Sequence, residues 1–143
     1  MAIEIINQQK RIPLKTLPIK KTVQKILKIL KVSDANLSIA FVTDQKIKFL
    51  NKKFLNRDHT TDVIAFDYAR HQKPDTRHKR IDGEIVISVT TAFRNAKRFN
   101  TTPKNELALY AIHGILHLLG YNDHSATDKK KMRKKEQELM KQI

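Results

Sequence analysis

The chain has 143 residues, with 29 lysines and arginines against 14 aspartates and glutamates, six histidines and no cysteine. Without cysteine there can be no disulfide, thiolate metal site or cysteine nucleophile, which leaves histidine, aspartate and glutamate as the strong metal ligands. The formal net charge of +15 predicts a polyanionic partner, because neutralising phosphates releases condensed counterions. No apolar run comes near the roughly 20 residues of a membrane span and no signal peptide is evident, so we expect a cytoplasmic protein without a membrane partner.

Apolar periodicity predicts alternating strands and helices along the chain. Four strands are predicted, at residues 2–7, 37–42, 62–68 and 83–89. Five helices are predicted: one behind Pro18, one from Asp44, and others at 90–99, at 103–119, and after Ser125 or Thr127. This succession indicates an α/β (α+β) fold, with a mixed four-stranded sheet covered by helices in a single domain over residues 1–143. The order of the strands stays open.

A polar stretch, ARHQKPDTRHKRID at residues 69–82, separates the last two predicted strands. Its proline and its five lysines and arginines predict an exposed basic loop. Together with basic residues near the second helix, it supplies the candidate phosphate contacts, which are Lys52, Lys53, Arg57, Arg70, Lys73, Arg77, Lys79 and Arg80. An ordinary solvated surface is the alternative interpretation of this charge.

The segment HGILHLLGYNDH, residues 113–124, contains the candidate metal ligands. His113 and His117 are four residues apart on the predicted helix 103–119, so both imidazoles leave one face and can reach one ion. The alternative interpretation is a pair of core histidines bonded to backbone groups. The pair, rather than a single histidine, favours the metal site.

The glycine that ends this helix allows the chain to fold back toward the two histidines. A positive φ at Gly120 would bring Asp123 or His124 to the same ion as a third ligand. Three protein ligands leave one coordination position open, as catalytic zinc requires for Lewis-acid chemistry.

HGILHLLGYNDH resembles the signature HGxLHLxGYDH of the YbeY family of single-metal endoribonucleases. Residues 50–68 (LNKKFLNRDHTTDVIAFDY) and 82–88 (DGEIVIS) are similar to two further segments of that family, in the same order. The resemblance implies an endoribonuclease that binds one Zn²⁺ per chain, uses His117 in catalysis and cleaves single-stranded RNA. It also implies 3′ maturation of small-subunit rRNA, ribosome quality control, and ribosomal proteins and an assembly GTPase as partners.

The sequence departs from the family pattern at two positions. The family's third histidine lies six residues after the second, where this chain has Asp123, and His124 follows one residue later. We favour Asp123 as the third ligand because an unbulged turn needs no rearrangement. The family places a catalytic basic residue directly after the aromatic residue of its first segment, but here Leu55 follows Phe54. Arg57 is the nearest guanidinium, and a catalytic role or a solvated surface charge describes it equally well.

The chemistry of the motif disfavours one common reaction class and leaves others open. Gly114 stands where the HExxH motif of metalloproteases has its glutamate base, which disfavours peptide hydrolysis. Asp62 and His59 are candidate helpers, with a structural turn role favoured for Asp62. Two alternative functions remain: a non-catalytic, zinc-stabilised factor for ribosome assembly, and a hydrolase of another anionic phosphoester.

Overall fold

The computed structural model describes residues 1–69 and 79–143 and contains one four-stranded sheet and five helices. The strands are β1 (Ala2–Asn7), β2 (Val32–Val42), β3 (Val63–Asp67) and β4 (Lys79–Ser88). The helices are α1 (Thr16–Ile29), α2 (Asp44–Leu55), α3 (Val89–Arg98), α4 (Pro103–Leu118) and α5 (Ala126–Gln142). The predicted α/β class with a mixed four-stranded sheet is confirmed.

The sheet has the order β1-β2-β4-β3. The pairs β1 with β2 and β2 with β4 are parallel, whereas β3 lies antiparallel to β4 at the edge. Ile39 lies between Ile5 and Ile85 in the register, and Ile85 is in turn opposite Ala65. The parallel pairs bring the carboxyl ends of β2 and β4 to the same edge of the sheet, where α2 and α3 begin.

Helices pack on both faces of the sheet. Ile39, Ile85 and Ile87 are fully buried in the main core, together with apolar residues of α1 and α4. Their neighbours in sequence point to the opposite face because side chains alternate along a strand. There Val86 packs with Ile47 of α2, which covers part of this second face.

Two strands begin earlier than the pattern of apolar residues predicts. β2 starts at Val32 instead of residue 37, and β4 starts at Lys79 instead of residue 83. Lys79 and Arg80 belong to β4, since they pair with the polar beginning of β2. The prediction that they lie in the basic loop is therefore wrong. Arg70, Lys73 and Arg77, the other basic residues of that predicted loop, lie outside the described residues.

Helix α4 begins and ends with the signals read from the sequence. The Thr102 hydroxyl accepts a hydrogen bond from the Asn105 amide at 3.1 Å, and Pro103 occupies the first turn. In its middle, α4 approaches β4 closely: a Cβ built on Gly114 would lie 2.8 Å from side-chain atoms of Ile85. Glycine is therefore needed here for helix-on-sheet packing.

A carboxylate joins α2 to the end of β4 and to α3. Asp44 accepts hydrogen bonds from the Ser88 and Thr91 hydroxyls, both at 2.6 Å, and from the Arg94 guanidinium at 2.5 Å. Burial alone would raise the pKa of Asp44, but these hydrogen bonds outweigh it and hold the pKa well below its ordinary value. The ionised carboxylate thus holds the start of α2 against the end of β4 and the start of α3.

Within residues 1–69 and 79–143, none of the helices combines the length and apolar character that crossing a bilayer requires.

Candidate metal centre

Helix α4 places the two histidines of the motif side by side. The Nε2 atoms of His113 and His117 are 3.0 Å apart, and the ring planes meet at 81°. Each side chain is 28% exposed, so the pair lies at the boundary between core and solvent. Two Zn–N bonds of about 2.0–2.1 Å at a tetrahedral angle separate their nitrogens by about 3.3 Å, close to the separation seen here.

Hydrogen bonds to the other nitrogen of each ring fix the tautomers. Nδ1 of His113 lies 2.5 Å from Oε1 of Glu136, and Nδ1 of His117 lies 3.1 Å from the Tyr121 carbonyl oxygen. Carbonyl and carboxylate oxygens only accept, so both Nδ1 atoms donate, and whenever the rings are neutral each turns an unprotonated Nε2 toward the other. Two facing lone pairs at 3.0 Å repel unless a proton or a cation lies between them. The side chains therefore fit a divalent cation.

The surroundings shift the two histidine pKa values in opposite directions. Burial alone would lower the pKa of His113, but the hydrogen bond and charge of Glu136, with the charges of Asp62 and Asp123, outweigh burial and raise it. Burial lowers the pKa of His117, and the neighbouring His113 lowers it further. His117 therefore remains neutral, as a metal ligand must be, to lower pH than an ordinary histidine.

The turn after α4 brings a carboxylate to the histidine pair. Gly120 has φ +100°, its amide donates to the His117 carbonyl, and the Tyr121 amide donates to Leu116, which is a Schellman ending. Oδ2 of Asp123 then lies 3.9 Å from Nε2 of His117, and the candidate ligand atoms of His113, His117 and Asp123 all lie within 4.8 Å of one another. Two imidazoles and one carboxylate form a donor set suited to zinc with an open position.

His124, the other predicted third ligand, lies outside this group. It is exposed, and its backbone amide donates to Oδ1 of Asn122 at 3.2 Å, which closes an Asx turn. The turn is thus unbulged and presents Asp123. The geometry agrees with the preference stated from the sequence, and the ligand assignment stays a prediction.

Glu136 is the contact residue that sequence reasoning missed. It lies on α5, 23 residues from His113, and its side chain is only 14% exposed. Met132 and Leu139 are buried on the same helix, so Glu136 falls at helical spacing inside the buried stripe. A lone carboxylate within an apolar stripe is the sequence signal that could have identified it.

The predicted helpers lie on the loop between α2 and β3. Oδ1 of Asp62 accepts a hydrogen bond from the Val63 amide at 2.8 Å, in keeping with a structural role, while its charge acts on His113. Asn51 holds the backbone of the loop at two points. Its side-chain amide donates to the His59 carbonyl at 2.9 Å, and its backbone carbonyl accepts from the Arg57 amide. The Arg57 side chain is exposed, without a hydrogen bond or ion pair to the described residues.

The predicted phosphate contacts that the structure describes lie on several elements. Lys52 and Lys53 are exposed on α2, Arg80 lies 3.5 Å from Oδ2 of Asp34, and the Lys79 ammonium donates to the Leu30 carbonyl. Sequence reasoning did not assign phosphate contacts to α5, the helix that carries Glu136. Its basic side chains are Lys129, Lys130, Lys131, Arg133, Lys134, Lys135 and Lys141.

The chain is similar to known proteins along nearly its whole length. The family profile described as Endoribonuclease YbeY matches residues 4–143. A Syntrophus aciditrophicus protein named Endoribonuclease YbeY is 39% identical over 97% of this chain and 88% of its own length. A Thermodesulfovibrio yellowstonii protein of the same name is 34% identical over 98% of this chain and 96% of its own length. A solution structure from Thermotoga maritima superposes with a TM-score of 0.68 at 30% identity, covering 96% of this chain and 86% of that one. The chain belongs to the YbeY family.

Proposed function

We propose that this protein is a zinc-dependent endoribonuclease that cleaves single-stranded RNA, with one ion held by His113, His117 and Asp123. One observation carries the proposal: both Nδ1 atoms have acceptor partners, so the two Nε2 atoms, which are the metal-binding atoms of the neutral rings, face each other at 3.0 Å beside a carboxylate. The relatives named Endoribonuclease YbeY support the reaction class, and the net charge of +15 supports a polyanionic substrate.

The side chains around the centre have distinct tasks in this proposal. A divalent cation at this site would supply Lewis-acid stabilisation of the charge that develops on a phosphodiester during cleavage. Glu136 and the Tyr121 carbonyl hold the two rings in position, and the 47% exposed Asp123 leaves the site accessible from solvent. Arg57, on the loop between α2 and β3, would neutralise the charge of the scissile phosphate.

We extend the proposal to a biological role through family membership. The substrate would be small-subunit rRNA, with 3′ maturation and ribosome quality control as the processes, in a single-domain protein of the cytoplasm. Ribosomal proteins and an assembly GTPase would be the partners. The lysines of α2 and α5 would hold phosphates of the rRNA backbone outside the cleavage site.

Cleavage of an end-labelled single-stranded RNA by zinc-loaded, nuclease-free protein tests this proposal. His117→Ala should abolish cleavage, since it removes one of the two facing nitrogens. His124→Ala is the matched control, because it removes an exposed imidazole outside the ligand group, and it should cleave like the parent protein. Equal cleavage by His117→Ala and the parent protein would refute the proposal.

A second candidate, a non-catalytic factor for ribosome assembly, rests on the contact between α4 and α5. The His113–Glu136 hydrogen bond joins these helices, so a metal at the site could act only by stabilising the fold and its basic surface. In that case zinc would raise the melting temperature without producing RNA cleavage at any concentration.

A further inference from the structure

Helix α2 exposes two phenylalanines among lysines. Phe49 is 54% exposed and Phe54 is 57% exposed, whereas Ile47 and Asn51 of the same helix are buried. The helix carries four lysines and a single acidic residue, Asp44, which is engaged by hydrogen bonds at the first turn. We define the aromatic–lysine face as Lys46, Phe49, Lys53 and Phe54.

One lysine links the two rings of this face. The Lys53 ammonium lies 5.8 Å from the ring centroid of Phe49 and 5.4 Å from that of Phe54. The Lys46 ammonium lies 5.4 Å from the Phe49 centroid. Phe54 also meets Phe66 of β3 edge-to-face, with centroids 5.7 Å apart, which orients its ring. Single exposed apolar residues are normal on protein surfaces, but two rings that share one cation form a patch.

We propose that the aromatic–lysine face binds single-stranded RNA by stacking unpaired bases on Phe49 and Phe54. Aromatic rings accept any base by its π-face, and neighbouring ammonium groups hold the phosphates of the same nucleotides. The inference rests on the proposed endoribonuclease function and adds a place where the strand is held outside the cleavage site.

The placement of the face favours RNA over a membrane surface. An amphipathic helix binds a bilayer through its apolar side, but the apolar side of α2 is already packed on the sheet through Ile47. The helix ends at Leu55, and the loop that follows reaches Asp62, whose charge acts on His113. The α2–β3 loop, at the β3 edge of the sheet, therefore connects the helix that carries this face with the surroundings of the candidate metal centre.

Binding of two short strands of equal length separates stacking from charge. The probes are a fluorescent oligodeoxyadenylate and an abasic strand with the same number of phosphates, neither of which carries the 2′-hydroxyls of RNA. We expect the zinc-loaded protein to prefer the strand with bases. Phe49→Ala and Phe54→Ala should each weaken its binding about fivefold or more and leave the abasic strand unaffected. Lys53→Gln should weaken both strands.

Two further variants keep the test interpretable. Phe54→Leu preserves an apolar contact with Phe66 but removes the ring, so it should behave like Phe54→Ala without loss of stability. Phe99→Ala is the matched control. Phe99 lies at the end of α3, is 58% exposed, and its ring centroid is 5.4 Å from the Arg98 guanidinium. This substitution should change the binding of neither strand. Equal effects of Phe49→Ala and Phe54→Ala on both strands, or no effect of either, would overturn the proposal. So would an effect confined to binding of anionic phospholipid vesicles. Because binding is read without cleavage, a protein that fails to cut RNA leaves this result unchanged.

Discussion

Removing the carboxylate of Glu136 should weaken metal binding although Glu136 is not a ligand. Its Oε1 accepts the Nδ1 hydrogen of His113 at 2.5 Å, which orients the ring and increases the basicity of Nε2. In Glu136→Ala the ring can rotate or change tautomer, and either change removes the lone pair from the site. Zinc affinity should therefore fall although the candidate ligands are unchanged.

The expected size follows from the strength of the contact. Loss of an outer partner of a ligating histidine typically costs about 10–100-fold in metal affinity, which is about 1.4–2.7 kcal/mol. The upper part of that range applies here, because the carboxylate is short-bonded and its side chain is only 14% exposed. Glu136→Gln keeps an oxygen acceptor but loses the charge, so it should lose less affinity than Glu136→Ala.

Competition with a chromophoric chelator measures the zinc affinity of each variant at one pH. Glu138→Gln is the matched control, since Glu138 lies on the same helix, is 48% exposed and, among the described residues, forms an ion pair only with Lys135 at 3.8 Å. It should bind zinc like the parent protein. If folded Glu136→Ala also keeps the parent affinity, the inference that this carboxylate positions His113 is wrong.

Three further predictions test the ligand set and the packing around it. Asp123→Ala should lower zinc affinity at least about tenfold, and His124→Ala should leave it unchanged in the same chelator assay. Asp44→Asn should cost about 2 kcal/mol of unfolding free energy at pH 7, because it removes the charge from three hydrogen bonds. The pKa of Asp44 is lowered by folding, so its contribution is complete above its ordinary value near 3.8 and declines as pH falls toward the folded pKa. Urea unfolding at pH 7 and at pH 3 should show the difference shrinking. Gly114→Ala should lower stability by about 1–3 kcal/mol in thermal unfolding, because the methyl group would meet Ile85 at 2.8 Å; an unchanged melting temperature would contradict the close helix-on-sheet contact.

Local patterns predicted which elements exist, and long-range pairing determined where they begin. Ile39 and Ile85 lie in apolar runs that read as strands before any pairing is known. The first residues of β2 and β4 are mostly polar and exposed, and they are strands because Val32 pairs with Lys79 and Ala35 with Ile81. Such pairing leaves little trace in either segment alone, so the sequence shows neither the early strand starts nor the strand order.

The site divides in the same way between local and distant contributions. His113 and His117 could be paired from the sequence because helical geometry sets their spacing without help from the rest of the fold. Glu136 reaches His113 only because α5 packs on α4, which is a tertiary contact across 23 residues. The sequence marks Glu136 as unusual within a buried stripe, but it does not name its partner.

The choice between Asp123 and His124 depends on the path of three residues after Gly120. The Tyr121 carbonyl accepts the Nδ1 hydrogen of His117, which fixes the start of the turn, and the Asn122 side chain caps the amide of His124, which fixes its end. Between these two hydrogen bonds the turn presents Asp123 to the histidine pair. A carboxylate in that position brings a negative charge where the family pattern has a neutral imidazole, so a bound Zn²⁺ would retain less positive charge and be a weaker Lewis acid. Asp123→His should therefore make the bound zinc a stronger Lewis acid, and zinc-loaded Asp123→His should cleave RNA faster than the parent protein. Slower cleavage would show that the longer imidazole does not reach the ion.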